Sequence, residues 1–253
     1  MKLDSLSAII TGGASGLGAA TAERIARAGG KVAIFDLDAE GAQRQAKTLG
    51  GLAYRVDVTD EAAVAAAIAE AEAAHGVARI LVNCAGIGPP AKIIGRDGDP
   101  MPLADFAKIV SINLVGTFNV IAQFAARIYH SHSIGEERGV IVNTASVAAF
   151  DGQIGQAAYA ASKSGIVGMT LPIAREFARY NVRVMTIAPG LFLTPLLETL
   201  PKEALENLGR QVPFPSRLGR PDEFAELVQA IIENPMLNGE TIRLDGAIRM
   251  APR

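Results

Sequence analysis

The chain contains 253 residues, of which 20% are charged, and its formal net charge is −2. This length accommodates one large α/β domain, and the near-neutral charge gives no electrostatic basis for binding nucleic acid or an anionic membrane. Cys84 is the single cysteine, which excludes an intrachain disulfide and favours a reducing compartment. The N-terminus lacks a cleavable signal pattern and no run of eighteen apolar residues occurs, so we predict a cytoplasmic protein without a membrane span.

The first element is a short apolar strand at residues 6–10, which runs into a glycine-rich turn and then a helix that ends near residue 28. Gly12, Gly16 and Gly18 allow the backbone to turn tightly and to approach a ligand closely. The N–H groups at the start of the following helix are suited to binding a phosphate. This arrangement predicts a nucleotide-binding site.

The second strand, residues 31–36, ends in a carboxylate. Asp36 can accept hydrogen bonds from the adenosine ribose hydroxyls of a dinucleotide, and its charge repels a 2′-phosphate. Leu37 and Asp38 supply no basic group to hold such a phosphate, so we predict NAD rather than NADP. The alternative is that Asp36 or Asp38 caps the next helix.

Strands and helices continue to alternate, with strands at residues 52–56 and 79–82 and a helix at residues 60–74. This alternation predicts a doubly wound parallel sheet. With strand order 3-2-1-4-5-6, the winding reverses between strands 1 and 4, where such sheets bind ligands. The glycine turn and residues 83–86 are therefore predicted to line one crevice.

The middle of the chain holds fewer recognisable functional residues. Asn113 lies within a predicted helix at residues 103–129, where it is either a core amide or a catalytic group. His75, His130 and His132 show no metal-ligand spacing with cysteine or carboxylate groups, so we predict no metal site.

The fifth strand leads into Ser146, and Tyr159 and Lys163 follow in a helical stretch. The i, i+4 spacing places Tyr159 and Lys163 on one helix face. An ammonium group within about 4–6 Å lowers the pKa of a phenol from roughly 10, which makes it a proton-transfer group near pH 7. Ser146 is then placed to hold a substrate oxygen. The alternative for Tyr159 and Lys163 is a solvated helix face.

Two features of the following segments are less decisive. Gln153 and Gln156, between Ser146 and Tyr159, either contact substrate or are ordinary polar loop residues. Pro172 lies within the same helical pattern and predicts a bend or break near Gly168.

After a sixth strand at residues 182–187, a proline-punctuated segment favours neither a strand nor a good long helix. We predict a lid over about residues 190–220, the alternative being a loop packed on the core. A helix opening at Pro221 and a seventh strand at residues 240–244 complete the chain, and residues 1–253 are predicted to form one domain. The lid's apolar residues are Leu191, Phe192, Leu193, Leu196, Leu197 and Leu200.

Taken together, these features resemble the short-chain dehydrogenase/reductase family along essentially the whole chain. The resemblance rests on the glycine turn at residues 11–18, the Asn-x-Ala-Gly pattern at residues 83–86, and Pro189-Gly190. It rests equally on the four residues that correspond to the family's catalytic set, Asn113, Ser146, Tyr159 and Lys163. The resemblance implies a single-domain Rossmann fold with a seven-stranded, mostly parallel sheet and helices on both faces.

Residues 143–150, 168–175, 185–192, 211–219 and 238–249 are similar to a subgroup of this family, the type II 3-hydroxyacyl-CoA dehydrogenases. The implied activity is NAD-dependent interconversion of (S)-3-hydroxyacyl-CoA and 3-ketoacyl-CoA. The loops at residues 88–101 and 131–138 depart from that subgroup, which leaves the preferred acyl chain length open.

The resemblance also implies roles for individual residues. Tyr159 is the general acid–base, Ser146 holds the substrate oxygen, Lys163 lowers the pKa of the tyrosine, and Asn113 positions a water. We predict substrate contacts at Ser146 and Tyr159, and also at Gln153 and Gln156, the two glutamines from the position of their loop and not from the resemblance. The residues assigned to NAD binding are Gly12, Ser15, Gly16, Leu17, Gly18, Asp36, Asp57, Val58, Cys84, Ala85, Gly86, Tyr159, Lys163, Pro189, Phe192 and Thr194.

Two other functions remain open from the sequence. One is an NAD-dependent dehydrogenase of steroids or other secondary alcohols, and the other is an NAD-binding scaffold whose role with a partner matters more than turnover. Relatives in animals suggest the scaffold role, in a tRNA-processing complex. The resemblance further implies a homotetramer with the seventh strand and C-terminal tail at an interface.

Overall fold

The computed structural model describes residues 1–194, 197 and 201–252. Within these residues one sheet carries all named strands in the order β3-β2-β1-β4-β5-β6-β7, and each pairing is parallel. The predicted doubly wound parallel sheet is therefore confirmed. The strands are β1 Ser7–Thr11, β2 Lys31–Asp36, β3 Leu52–Arg55, β4 Ala78–Asn83, β5 Gly139–Thr144, β6 Val182–Pro189 and β7 Thr241–Leu244.

Helices connect the strands, and one long helical stretch contains a π-helical turn at Ser111–Val115. The helices are α1 Gly16–Arg27, α2 Ala39–Leu49, α3 Glu61–His75, α4 Leu103–Val110, α5 Gly116–Ile128, α6 Ala148–Asp151, α7 Ala157–Ala178, α8 Lys202–Arg210 and α9 Pro221–Glu233.

The sheet is covered on both faces, which explains why its central strands read as continuous apolar runs. All residues of β1, β5 and β6 are buried. On one face, Ile25 of α1 and Phe224 of α9 pack in the same core as alternate strand residues. On the other face, Ile68 of α3, Phe124 of α5 and Ile173 of α7 form a second core.

The reversal of winding between β1 and β4 brings the predicted crevice together. Thr11, at the end of β1, is in register with Phe35 of β2 and with Asn83 of β4. The backbone N–H of Cys84 donates to the carbonyl of Thr11 at 3.1 Å. The loops after these strands therefore leave the same edge of the sheet, as predicted.

Helix α7 contains Pro172 but runs without a break from residue 157 to residue 178, so the break that we expected near Gly168 does not occur. Pro172 and Gly168 are both exposed, whereas the next two residues, Ile173 and Ala174, are buried in the core. A proline in a helix leaves a carbonyl one turn earlier without its N–H partner, and water can satisfy that carbonyl on an exposed face.

The predicted lid segment contains helix α8, which the sequence analysis did not predict. Its prolines do not interrupt the helix, because Pro201 precedes it as N-cap and Pro213 follows it. The two ends of the segment are joined, since Gly219 N–H donates to Leu191 O and Leu193 N–H donates to Gly219 O, both at 2.8 Å. Leu196 and Leu200 lie outside the described residues.

Residues Leu103–Ile128 form the one stretch, among those described, that is long and apolar enough to cross a membrane, with a mean hydropathy of 1.6. A core helix of a soluble protein passes the same test. Ile121, Phe124 and Ile128 on this stretch are buried against the sheet, which accounts for its apolar character.

Candidate active site

A cleft of about 720 Å³ lies at the carboxyl ends of the strands. Its walls come from the loops that follow β1 to β6, together with the start of α7. Every residue assigned to NAD binding from the sequence lines it, from Gly12 in the first loop to Thr194 in the last. The structure therefore brings these residues together, although their contacts with a cofactor stay predictions.

The glycine turn at the start of the cleft leaves no room for side chains. Gly12 has a φ of +65°, and a Cβ added there would lie 2.7 Å from the backbone nitrogen of Ala85. A Cβ on Gly18 would lie 2.2 Å from the carbonyl oxygen of Gly12. Helix α1 begins at Gly16, and the side chain of Ser15 makes no capping hydrogen bond with it. The first backbone N–H groups of α1 are therefore suited to an anionic ligand in the cleft.

Asp36 is fixed in the wall of the cleft by the glycine turn. Its Oδ2 accepts a hydrogen bond from Ala14 N–H and its Oδ1 accepts one from Asp38 N–H, each at 3.0 Å. Asp38, by contrast, caps α2 by accepting from Gly41 N–H at 3.0 Å. Of the two alternatives for these carboxylates, Asp38 is the helix cap and Asp36 faces the cleft.

The charge of the cleft is uneven. Among the described lining residues, Asp36, Asp38 and Asp57 carry negative charge, and Lys163 is the one cation. Lys163 belongs to α7, so the carboxylates that follow β2 and β3 have no basic neighbour among the described lining residues. A ribose 2′-phosphate beside Asp36 would be repelled by the carboxylate, and no cation among the described lining residues would compensate.

The loop after β4 forms the opposite wall. Thr11 Oγ1 accepts a hydrogen bond from Ala85 N–H at 3.2 Å, and Asn83 Nδ2 donates to Asn143 Oδ1 at 2.9 Å. Cys84 Sγ lies 3.4 Å from Thr144 Oγ1. Burial raises the pKa of Cys84 to about 11, so its thiol is neutral at physiological pH and serves as a wall contact rather than a nucleophile.

Ser146, Tyr159 and Lys163 all line the cleft, so the solvated-face alternative for the tyrosine and lysine is wrong. Lys163 is 5% exposed, and its Nζ donates to the carbonyl of Thr144 at 2.8 Å. The same Nζ lies 5.8 Å from the centroid of the Tyr159 ring. Burial lowers the pKa of Lys163 to about 8, because a desolvated ammonium loses its stabilisation by water.

The pKa of Tyr159 is raised, which is the opposite of the direction predicted from its spacing to Lys163. Burial is the main cause, and a hydrogen bond with Ser146 works against it. The ammonium of Lys163 attracts a phenolate, but the desolvation of the phenolate in the buried site outweighs that attraction. At neutral pH Tyr159 is therefore a protonated phenol placed to donate a proton.

Asn113 is fully buried in the π-helical turn and does not line the cleft. Its side chain instead forms hydrogen bonds behind the cleft wall. Its Oδ1 accepts from Ile87 N–H and its Nδ2 donates to Ile87 O, both at 2.8 Å. Nδ2 also donates to Ser162 Oγ at 3.0 Å. Asn113 thus connects the loop after β4 to helix α7, one residue before Lys163.

The two candidate glutamines differ in position. Gln156 lines the cleft, and its Oε1 accepts from Gln153 N–H at 3.0 Å. Gln153 does not line the cleft, because its Nε2 donates to the carbonyl of Ala251 in the C-terminal tail at 2.9 Å. The assignment of Gln153 as a substrate contact is therefore not supported by its position.

Several lining residues were not singled out from the sequence, among them Ile87, Gly88 and Ile112. Gly88 packs against Tyr159 so closely that a Cβ there would lie 3.1 Å from the ring carbon Cε2. The Pro/Gly-rich composition after residue 86 indicated a loop, but no local pattern indicated which residue would meet Tyr159.

The cleft thus combines a glycine turn suited to phosphate, a carboxylate suited to ribose hydroxyls, and a protonated phenol beside a hydroxyl and an amine. In the described part of the chain, no group of three or more His, Cys, Asp or Glu side chains is placed to hold a metal ion. Such a cleft can orient a dinucleotide and pass a proton to or from a bound oxygen.

Comparison with known proteins agrees with this chemistry. The family model described as short chain dehydrogenase matches residues 7–205. Human 3-hydroxyacyl-CoA dehydrogenase type-2 is 56% identical over 255 residues, covering 99% of this chain and 98% of that protein. The protein of the same name from Drosophila melanogaster is 51% identical over 249 residues, covering 96% and 97%.

A solved structure gives the same result. The crystal structure of 3-hydroxyacyl-CoA dehydrogenase type-2 from Mycobacterium avium matches with a TM-score of 0.95 and 43% identity, covering 98% of each chain. A match of this extent confirms the fold, and the sequence matches show the family. The chain belongs to the short-chain dehydrogenase family and is a nicotinamide-dependent oxidoreductase.

Proposed function

We propose that this protein is an NAD-dependent dehydrogenase that interconverts (S)-3-hydroxyacyl-CoA and 3-ketoacyl-CoA. The observation that supports it most strongly is one cleft with Asp36 at one end and Ser146, Tyr159 and Lys163 at the other. This cleft belongs to a chain that is similar over its full length to proteins named 3-hydroxyacyl-CoA dehydrogenase type-2. The choice of the (S) enantiomer comes from the resemblance of the sequence to the type II subgroup.

The residues present fit NAD. The glycine turn would hold the phosphates. Backbone atoms occupy the space where Cβ atoms of Gly12 and Gly18 would lie, so the turn is tight and no side chain separates its N–H groups from a ligand. Asp36 would accept hydrogen bonds from ribose hydroxyls, and its charge supports NAD over NADP. NAD when bound supplies the redox chemistry, by accepting or returning the hydride of the substrate carbinol carbon.

The residues of the chain supply the proton and the orientation. In the reducing direction Tyr159 donates its phenolic proton to the ketone oxygen, which its raised pKa permits at neutral pH. Ser146 holds that oxygen by a hydrogen bond. Lys163, with a pKa of about 8, is mostly an ammonium at pH 7 and stabilises the phenolate left behind. In the oxidising direction Tyr159 takes up the hydroxyl proton.

Asn113 contributes indirectly in this proposal. Its buried amide fixes Ile87 in the wall opposite α7 and contacts Ser162 beside Lys163. We retain the expectation that it also orders a water that carries the proton outward. These side-chain contacts give Asn113 a role in shaping the cleft that does not depend on that water.

The apolar part of the cleft supports an acyl substrate. Ile112, Leu191, Phe192 and Leu197 all line it, and each buried methylene contributes about 0.8 kcal/mol. Lengthening a short acyl chain should therefore raise kcat/KM until the pocket is filled. Short and medium chains are the proposed substrates.

The basic residues of the lid segment are paired in the structure. Lys202 and Arg210 lie 3.9 Å and 3.5 Å from carboxylate oxygens of Glu206. Arg217 and Arg220 pair with Glu223 instead, and these contacts lower the pKa of Glu223 to about 2. Lys202 and Arg210 are highly exposed, and such pairs are weak, so coenzyme A phosphates can compete for these two cations.

We also propose a homotetramer, from the family resemblance and from exposed apolar side chains on two long helical stretches. Val115 and Phe118 on the 103–128 stretch and Leu171 on α7 are 51%, 54% and 43% exposed. Exposed apolar side chains on neighbouring long helices are the kind of surface that a second subunit covers. Light scattering coupled to size exclusion should give four times the mass of 26.4 kDa, and a monomer mass would contradict this part of the proposal.

The substrate assignment is tested by kcat/KM with NADH for three ketones: acetoacetyl-CoA, its N-acetylcysteamine thioester and a 17-ketosteroid. We expect acetoacetyl-CoA to be the best substrate of the three. A steroid preferred over acetoacetyl-CoA would overturn the assignment. A truncated thioester that performs as well would remove coenzyme A from the recognised substrate, and oxidation of (R)- in place of (S)-3-hydroxybutyryl-CoA would reverse the stereochemistry.

A further inference from the structure

Four charged side chains form a network beside the cleft, centred on Arg243 of β7. Its guanidinium donates through Nη1 and Nη2 to the two carboxylate oxygens of Asp151, the first at 3.3 Å. Its Nε donates to Asp245 Oδ2 at 2.8 Å, and Arg249 reaches the same oxygen from the exposed side at 3.1 Å. The guanidinium also lies over the ring of Phe150, 5.2 Å from its centroid. Such a two-pronged arginine–carboxylate pair fixes orientation as well as distance.

The network ends on the segment that carries Ser146. Ser146 Oγ accepts a hydrogen bond from Ala148 N–H at 3.1 Å, at the start of α6. Asp151 is the last residue of this one-turn helix. The side chains of Arg243 and Asp151 are only 21% and 19% exposed, so this pair is better protected from solvent than the surface pairs of the molecule. Arg243 therefore holds the end of the helix that begins beside the catalytic serine.

The C-terminal tail holds the loop that follows. Ile154 N–H donates to Pro252 O at 3.0 Å, and Gln153 Nε2 donates to Ala251 O at 2.9 Å. Arg243 Nη2 donates to the carbonyl of Ile248 at 3.0 Å, which fixes the start of the tail. The loop at residues 152–156 is thus held at its beginning by Asp151, which pairs with Arg243, and in its middle by the tail. The start of that tail, at the Ile248 carbonyl, is bound by Arg243 and by Arg249, the latter at 2.7 Å.

This loop connects the two parts of the catalytic set. Gln156 at its end lines the cleft, and Tyr159 follows in the first turn of α7. Ser146 precedes the loop and Tyr159 follows it, so its conformation sets how the substrate side of the cleft is closed. The glycine turn and Asp36 lie across the cleft and make none of these contacts.

We propose that Arg243 is a positioning residue for the reaction. It helps to hold the loop at residues 152–156 against the C-terminal tail and so shapes the substrate side of the cleft. This inference rests on the proposed function. It assigns to β7 and the tail of the same chain a role in turnover that is separate from cofactor binding.

The test compares Arg243→Gln and Asp151→Asn, singly and together, with Arg249→Gln as a matched control. Arg249 shares Asp245 and the Ile248 carbonyl with Arg243 but does not contact Asp151, and it is 64% exposed, so this control isolates the contact with Asp151. Three quantities are measured: kcat/KM for acetoacetyl-CoA at saturating NADH, the Kd of NADH by fluorescence, and amide hydrogen exchange in residues 152–156.

Both single variants should lower kcat/KM by roughly tenfold to a hundredfold, since misplacement of reacting groups by about 1 Å has effects of this size. The double variant should lose no more than the worse single variant, because both changes break one pair. Exchange in the loop should accelerate by about tenfold while the Kd of NADH changes by less than about threefold. Arg249→Gln should stay within about twofold of the wild type, because an exposed pair contributes little.

Unchanged exchange in the loop, or equal losses in Arg243→Gln and Arg249→Gln, would overturn the inference. A rise in the NADH Kd that matches the loss of kcat/KM would also overturn it, since a merely structural role would weaken both sides of the cleft. If Arg243→Gln does not fold, Arg243→Lys keeps the charge but not the two-pronged contact, and the same loss is expected. A wild type inactive on acetoacetyl-CoA counts against the proposed function, whereas the exchange measurement decides on Arg243 without requiring activity.

Discussion

Replacement of Asp36 should change the cofactor preference of this protein. The carboxylate faces the cleft and accepts hydrogen bonds from Ala14 N–H and Asp38 N–H, each at 3.0 Å. Asp36→Asn keeps the shape and one acceptor oxygen but removes the charge, and its NH2 group leaves one of these two N–H donors without an acceptor. Asp36→Ala removes the charge and leaves both N–H donors, that of Ala14 in the glycine turn and that of Asp38, without their partner.

The expected magnitudes follow from these contacts. Two unit charges about 4 Å apart interact with about 4 kcal/mol at an effective dielectric constant near 20. Asp36 is half-buried, so we take about half of that value, roughly 2 kcal/mol, which corresponds to about 30-fold in the ratio of NADPH to NADH affinity. The additional unpaired N–H in Asp36→Ala costs about 1–3 kcal/mol, so NADH itself should bind about tenfold more weakly or worse.

The assay is fluorescence titration of NADH and NADPH with wild type, Asp36→Asn, Asp36→Ala and the control Asp60→Ala. Asp60 caps α3 by accepting from Ala63 N–H at 3.0 Å and does not line the cleft. The control removes a carboxylate of the same kind and should leave both affinities unchanged. An NADPH-to-NADH ratio in Asp36→Asn equal to that of the wild type would refute this account of selectivity.

Two further predictions concern the glycine turn and the pH dependence. Gly18→Ala should abolish NADH binding, because its Cβ would lie 2.2 Å from Gly12 O. A Cβ at the control position Gly168 meets no atom within 4 Å, so Gly168→Ala should stabilise α7 by about 0.5–1 kcal/mol. NADH binding by Gly18→Ala, or a lowered Tm in Gly168→Ala, would contradict this prediction. The rate of acetoacetyl-CoA reduction should be constant below about pH 8 and fall above it. Lys163 loses its proton near that pH, whereas the raised pKa of Tyr159 keeps the phenol protonated. A rate that stays constant up to about pH 10 would show that the ammonium is not required.

Local patterns predicted the parts of the site that depend on adjacent residues. The glycine turn, the carboxylate at the end of β2 and the strand order are all readable from short stretches, because each follows from backbone sterics or from alternation of elements. The i, i+4 spacing likewise placed Tyr159 and Lys163 on one face of α7, and both line the cleft.

Features that depend on distant packing were not predictable in this way. The raised pKa of Tyr159 arises mainly from its burial, and burial is a property of the assembled cleft. Gln153 finds its partner at Ala251, 98 positions away, so a local reading could not separate it from Gln156. Pro172 predicts a helix break by its chemistry alone, and only its exposed position shows why α7 continues through it.

The central claim is that Tyr159 donates the proton in an NADH-dependent reduction of 3-ketoacyl-CoA. Tyr159→Phe removes the phenolic oxygen and keeps the ring that packs against Gly88. The most direct measurement is single-turnover reduction of acetoacetyl-CoA by enzyme saturated with NADH, with NADH binding followed by fluorescence in the same samples. We expect unchanged NADH binding and a rate lowered by about 10²–10⁴-fold. A Tyr159→Phe enzyme that keeps more than about a tenth of the wild-type rate would contradict the claim.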